Sequence, residues 1–105
     1  MGEDETRFGL QPEVIDKLLQ VFQRYPKVER VLIYGSRAMG NYRPGSDIDL
    51  TLKGKHLQWN DLQSIELEID ELLLPYKIDL SLYTQIDNKN LIDHIDRWSK
   101  ELNPE

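Results

Sequence analysis

Apolar residues recur along this chain with two periods, and their alternation lays out the elements. Between Pro12 and Tyr25 the residues Val14, Ile15, Leu18, Leu19 and Phe22 fall at three- and four-residue spacing, the stripe of an amphipathic helix. Proline in the first turn and Pro26 beyond the end set its limits. The segment Val28 to Tyr34 ends in an unbroken run, Val31-Leu32-Ile33-Tyr34, which reads as a central strand covered on both faces. Asp47 to Leu52 instead alternates polar and apolar, as a half-exposed strand does, and Gly54 ends it. A second helical stripe, Leu62, Ile65, Ile69, Leu72 and Leu73, follows Asn60-Asp61-Leu62-Gln63, which resembles a capping box, and stops at Pro75. Lys77 to Tyr83 alternates again. Leu91, Ile95, Trp98 and Leu102 predict a last helix from Asn88 to Leu102, closed by Asn103-Pro104-Glu105. Residues 1–9 are polar and predict a frayed tail. Together these elements predict one α/β (α+β) domain over residues 1–105, a small mixed sheet with helices packed on one face.

Strand parity carries the chemistry. Asp47 and Asp49 point from one face of their strand while Ile48, Leu50 and Leu52 point from the other. In the later strand Ile78, Leu80 and Leu82 share one face, and Asp79, Ser81 and Tyr83 share the opposite one. If the two apolar faces join one core, Asp79 emerges beside Asp47 and Asp49. Neighbouring carboxylates repel, and one is pushed towards protonation unless a cation compensates. Hard oxygen donors in pairs suit Mg²⁺, which completes its octahedron with water and substrate phosphate. Ahead of these acids, Gly35 permits a close backbone approach and Ser36 can cap a short helical turn whose N–H groups attract anions. Arg43-Pro44-Gly45-Ser46 then turns the chain into the acidic strand.

Composition narrows the function classes. With 19 acidic against 13 basic residues the net charge is −6, which disfavours a surface that tracks nucleic-acid phosphates. The absence of cysteine removes disulfides and thiolate zinc sites and fits a reducing, cytoplasmic setting. No apolar run approaches the roughly 18 residues of a membrane helix, and the first residues lack the basic and apolar regions of a signal peptide. Met1-Gly2-Glu3-Asp4-Glu5-Thr6 matches a loose myristoylation pattern, but its acidic neighbours and missing polybasic signal argue for coincidence.

Other motifs fail on inspection. Asp47-x-Asp49 does not open an EF-hand, because Leu52 stands where Gly is needed and Gln58 where a bidentate Glu is needed. Gly35 to Gly40 fits neither the Walker loop nor the dinucleotide fingerprint. His56 and His94 read as surface or helix-face residues without a role. Among Tyr34, Tyr42, Trp59 and Trp98, only the loop residue Tyr42 stays open as a base-stacking candidate.

Gly35-Ser36, ten intervening residues, Asp47-x-Asp49 and a later strand acid together resemble the signature of the DNA polymerase β nucleotidyltransferase superfamily. More closely, Gly-Ser-Arg-Ala-x-Gly-x-x-Arg-x-x-Ser-Asp-Ile-Asp-Leu is similar to the minimal nucleotidyltransferases of bacteria and archaea, over about residues 28–83. The resemblance implies the palm core of that superfamily, with two Mg²⁺ ions held by Asp47 and Asp49. Asp79 would share the catalytic ion and help deprotonate an attacking hydroxyl. Gly35, by its backbone, and Ser36 would hold the terminal phosphates of ATP or another nucleoside triphosphate, with Arg37 and Arg43 nearby. It further implies transfer of AMP with loss of pyrophosphate, and a small all-helical partner of the HEPN or substrate-binding type encoded beside it. The chain would then be the antitoxin that adenylylates a helical toxin. Two alternatives stand beside this reading: the catalytic subunit of a small-molecule enzyme similar to the aminoglycoside nucleotidyltransferases, and an antitoxin that binds nucleotide but acts by contact alone.

Overall fold

The computed structural model describes residues 6–102, so the myristoylation-like stretch lies outside the described residues except for Thr6, and the closing Asn103-Pro104-Glu105 lies outside them entirely. The elements run α1 (Pro12–Gln23), β1 (Arg30–Tyr34), α2 (Ser36–Met39), β2 (Ile48–Lys53), α3 (Trp59–Asp70), β3 (Ile78–Leu82), α4 (Lys89–Trp98) and β4 (Lys100–Glu101). The four strands form one mixed sheet in the order β3-β2-β1-β4. β1 pairs antiparallel with both β2 and β4, and β2 pairs parallel with β3. The parallel pair follows from the connection: α3 supplies the crossover that two parallel neighbours require.

Period-2 parity divides the burial cleanly. Val31 and Ile33 of β1, Ile48, Leu50 and Leu52 of β2, and Leu80 and Leu82 of β3 join α1 and α3 in the main core. Leu32 and Tyr34, on the alternate positions of β1, form a second, smaller cluster with Ile95 of α4. The expectation of helices on one face therefore holds for α1 and α3 and is corrected for α4, which packs on the other. The cause is β1 itself, whose four terminal residues are all buried and so need a cover on each face.

The C-terminal helix is also shorter than the periodicity predicts. Ser99 is extended (φ −70°, ψ 157°), and the chain continues as β4 against β1. Leu102 then donates its amide to the Val31 carbonyl at 2.9 Å and is fully buried in the main core. A continued helix would hold Ile95 and Leu102 on one stripe, whereas the strand lets them enter cores on opposite faces of the sheet. Trp98, expected on the apolar stripe, is left 48% exposed.

At the other end, the frayed tail predicted over residues 1–9 is corrected from Arg7 onward. Arg7 and Leu10 form a β-bridge, Leu10 is fully buried, and the Arg7 guanidinium donates to the carbonyls of Leu102 at 2.9 Å and Glu101 at 3.2 Å. Arg7 thus ties the N-terminal segment to β4. Arg7→Ala is expected to cost about 1–2 kcal/mol, the worth of charge-assisted bonds to backbone carbonyls. The change would be read as a lower urea midpoint together with faster exchange of the Leu102 amide; an unchanged midpoint would show that β4 holds without the tether.

The cap of α3 sits two residues ahead of the predicted box. Gln58 is the N-cap, and its amide donates to the Asp61 carboxylate at 2.9 Å.

Candidate active site

The acidic face is the one opposite α1 and α3, the face on which α4 packs. β2 turns Ile48, Leu50 and Leu52 into the main core, so Asp49 faces the other way, half-buried. In the parallel ladder Asp49 is the direct partner of Asp79, and Thr51 of Ser81. Direct partners share a face, so the two acids lie side by side, and Asp79 is exposed. Asp47, one residue before β2 and also exposed, stands at the mouth of the same face. Beneath them the Ser81 hydroxyl donates to Thr51 Oγ1 at 3.0 Å, which ties the two strands below the acids.

The electrostatics follow from this crowding. Burial pushes the Asp49 carboxyl above its ordinary value, and the charges of Asp79 and Asp47 push it further, while Lys77 pulls it down. Tyr34 is the cross-strand partner of Asp49 and is 9% exposed. Burial raises its hydroxyl pKa, a hydrogen bond with Ser81 opposes that, and Asp49 and Asp79 add to the rise. Among the described residues no three His, Cys, Asp or Glu side chains gather into a ready-made cation cage. The donor set nevertheless suits a hard cation that draws its remaining ligands from water and phosphate, as Mg²⁺ does.

The raised Asp49 pKa sets a pH dependence with a definite sign. A carboxyl whose folded pKa exceeds its unfolded one favours the fold while protonated, and that contribution is lost as pH rises through the folded pKa. Without metal, Asp49→Asn is therefore expected to gain stability relative to the parent chain as pH climbs from the ordinary carboxylate range to neutrality. Paired thermal melts across that range would check it, and a difference that stays flat would contradict the assigned crowding.

Gly35 and Ser36 form the turn between β1 and the acids. Gly35 has φ +77° and ψ −154°, and a Cβ there would fall 2.5 Å from Asp49 Oδ2, so both the conformation and the close approach require glycine. The Gly35 amide, expected to face a phosphate, donates instead to Nε2 of His94 on α4 at 3.1 Å. His94, to which the sequence reading gives no role, thus belongs to the site. What concealed it was the assumption that every helix packs on the side away from the acids. His56 is exposed on the connection between β2 and α3.

Arg37 has a different task from the phosphate contact expected of it. It is 2% exposed, and its guanidinium donates to the carbonyls of Ser46 (2.9 and 3.2 Å), Phe8 (2.9 Å) and Pro44 (3.2 Å). Tyr42 and Tyr76 lie over it at 5.3 and 5.1 Å. Tyr42, the base-stacking candidate, is thus engaged with Arg37. A buried cation clamps the loop that delivers Asp47. Arg43 is exposed on that loop, where its amide donates to Ser46 Oγ at 2.8 Å.

A mixed sheet that presents paired strand acids beside a Gly-Ser turn has the architecture of a nucleotidyltransferase. The model of the polymerase beta nucleotidyltransferase family matches residues 16–103, and the chain belongs to that family. No curated protein matches it. Among solved structures it is similar to a toxin–antitoxin with AMP-PNP, at 19% identity over 85% of this chain and 72% of that one, with TM-score 0.68. It is also similar to a structure of a tri-AMPylated Shewanella oneidensis HEPN toxin in complex with MNT antitoxin (17% identity, 90% and 72% covered, TM-score 0.65). A nucleotidyltransferase described as putative, from Sulfolobus solfataricus, shares the fold at 21% identity, with 96% and 89% covered and TM-score 0.53. Among the described residues no helix is long and apolar enough to cross a membrane.

Proposed function

We propose that this chain transfers AMP from ATP to a hydroxyl of a small helical HEPN-type protein and so acts as the antitoxin of a toxin–antitoxin pair. The observation that carries the reading is the register of β2 and β3, which sets Asp79 directly beside Asp49 at the Gly35-Ser36 turn. The kinship with complexes that hold AMP-PNP or a tri-AMPylated HEPN toxin supports ATP as donor and a HEPN protein as acceptor.

In this reading Asp47, Asp49 and Asp79 would hold two Mg²⁺ ions, and these would supply charge neutralisation at the attacking and leaving oxygens. Ser36 holds the terminal phosphates, with Arg43 free to approach them from the loop. The acceptor oxygen bonds to the α-phosphorus, the α–β phosphoanhydride bond breaks, and pyrophosphate departs. Asp79 receives the hydroxyl proton, a role suited to the more exposed member of the Asp49–Asp79 pair. Cytoplasm, where ATP and Mg²⁺ are supplied together, is the matching compartment.

Incubating the chain with the helical protein encoded beside it, ATP and Mg²⁺ is expected to add one or more AMP masses to that protein, read by intact-mass spectrometry. ATP turnover that requires a small-molecule acceptor, with no mass gain on the protein, would favour the small-molecule reading. Protection by contact without any turnover would overturn the catalytic one.

A further inference from the structure

The Gly35 amide is held from across the site. His94 reaches it from α4, on the acidic face of the sheet, and accepts its N–H at 3.1 Å. The ring is half-buried and meets Tyr34 edge-on, with centroids 6.2 Å apart and planes at 73°. Tyr34 in turn faces Asp49 across the β1–β2 ladder, and Asp49 packs against the Cα of Gly35. Imidazole, amide and carboxylate thus meet at one junction.

Gly35 occupies a backbone region that only glycine visits readily, so its own sterics do little to fix how the Tyr34–Gly35 peptide enters the turn that carries Ser36. An acceptor placed on its N–H supplies that constraint from outside. Accepting at Nε2 also leaves the ring proton on Nδ1, which defines the tautomer. The ring is held in place by the Tyr34 contact and by the neighbouring Ile95, which anchors α4 on the sheet. Any movement of α4 is therefore transmitted to the turn.

We propose that His94 is a positioning residue of the nucleotide site: by accepting the Gly35 N–H it fixes the Tyr34–Gly35 peptide from which the turn presenting Ser36 to a triphosphate tail starts, and it makes α4 part of that site. The inference rests on the reading of Gly35-Ser36 as the phosphate-binding turn. It requires an acceptor at this position and nothing else of the imidazole. Glutamine, whose side-chain oxygen accepts, should replace it, whereas alanine has no acceptor and lysine can only donate.

The test uses the full chain with Mg²⁺, titrated with AMP-PNP and, separately, with AMP. His94→Ala and His94→Lys are expected to weaken AMP-PNP binding about tenfold, the cost of leaving a partly buried amide unpaired, and to leave AMP binding unchanged. His94→Gln is expected to bind AMP-PNP within about twofold of the parent. Thermal melts run in parallel separate this from unfolding, since Gln and Lys variants of equal melting temperature should still differ in AMP-PNP affinity. Equal affinity of the Ala variant and the parent would overturn the inference alone, and so would a Gln variant as weak as the Ala one. A parent chain that binds no AMP-PNP would overturn the phosphate-turn reading and this inference with it.

Discussion

Replacing Asp49 by asparagine is expected to lower the proposed AMP transfer about a thousandfold, the scale seen when a group that stabilises transition-state charge is removed, while making the metal-free fold more stable. The two effects have one cause. Asp49 is half-buried, pressed against Gly35 and flanked by the charges of Asp79 and Asp47, so its ionised form is disfavoured without a cation. The charge that would hold the metal is thus a strain on the empty fold. Asparagine keeps the shape, removes the repulsion and would lose most of the affinity for the proposed metal. At neutral pH and without metal the variant should melt at a higher temperature than the parent. Activity and melting temperature falling together would point to a structural role instead.

Arg37→Ala is expected to destabilise the protein by about 3–4 kcal/mol, more than any other single change in the loop. The guanidinium makes four hydrogen bonds to three carbonyls and lies against two tyrosine rings. Removing it leaves those carbonyls unpaired next to a cavity, and each lost bond to a charged group is worth about 1.5–3 kcal/mol before relaxation. Lysine should recover little, because an ammonium cannot reproduce the planar fork that reaches Phe8, Pro44 and Ser46 together. Urea denaturation measures the loss. A drop below about 1 kcal/mol would mean that solvent replaces the clamp. Ser46, one residue before Asp47, is the residue to which two of the bonds go. Transfer should therefore fall in this variant even where it remains folded.

Much of the site could be read from side-chain parity. Alternation in Asp47–Leu52 and Lys77–Tyr83 forces the acids to the face opposite the apolar residues, and one shared core puts Asp49 and Asp79 on the same face whichever way the strands run, while the β2–β3 register sets them side by side. The position of α4 was harder to read, because a helical stripe states that a helix is amphipathic and not which sheet face receives it. The clue lay in Val31-Leu32-Ile33-Tyr34, where an apolar run on one strand demands two covers. α4 is the second cover, and its choice of face brings His94 to Gly35. Arg37 misled because an arginine beside a Gly-Ser turn suggests a phosphate ligand, and burial among carbonyls leaves no periodic trace. The two-residue β4 was likewise hidden, since Leu102 continues the helical spacing while the backbone has already become extended.

The most direct measurement is a calorimetric titration of AMP-PNP into the parent chain and the Asp49→Asn variant, each with Mg²⁺ and with the metal chelated. If the acids clasp divalent ions against a triphosphate, the parent binds the nucleotide far more tightly with Mg²⁺ than without, and the variant loses that gain. Equal affinity for the parent chain in both buffers would contradict the account.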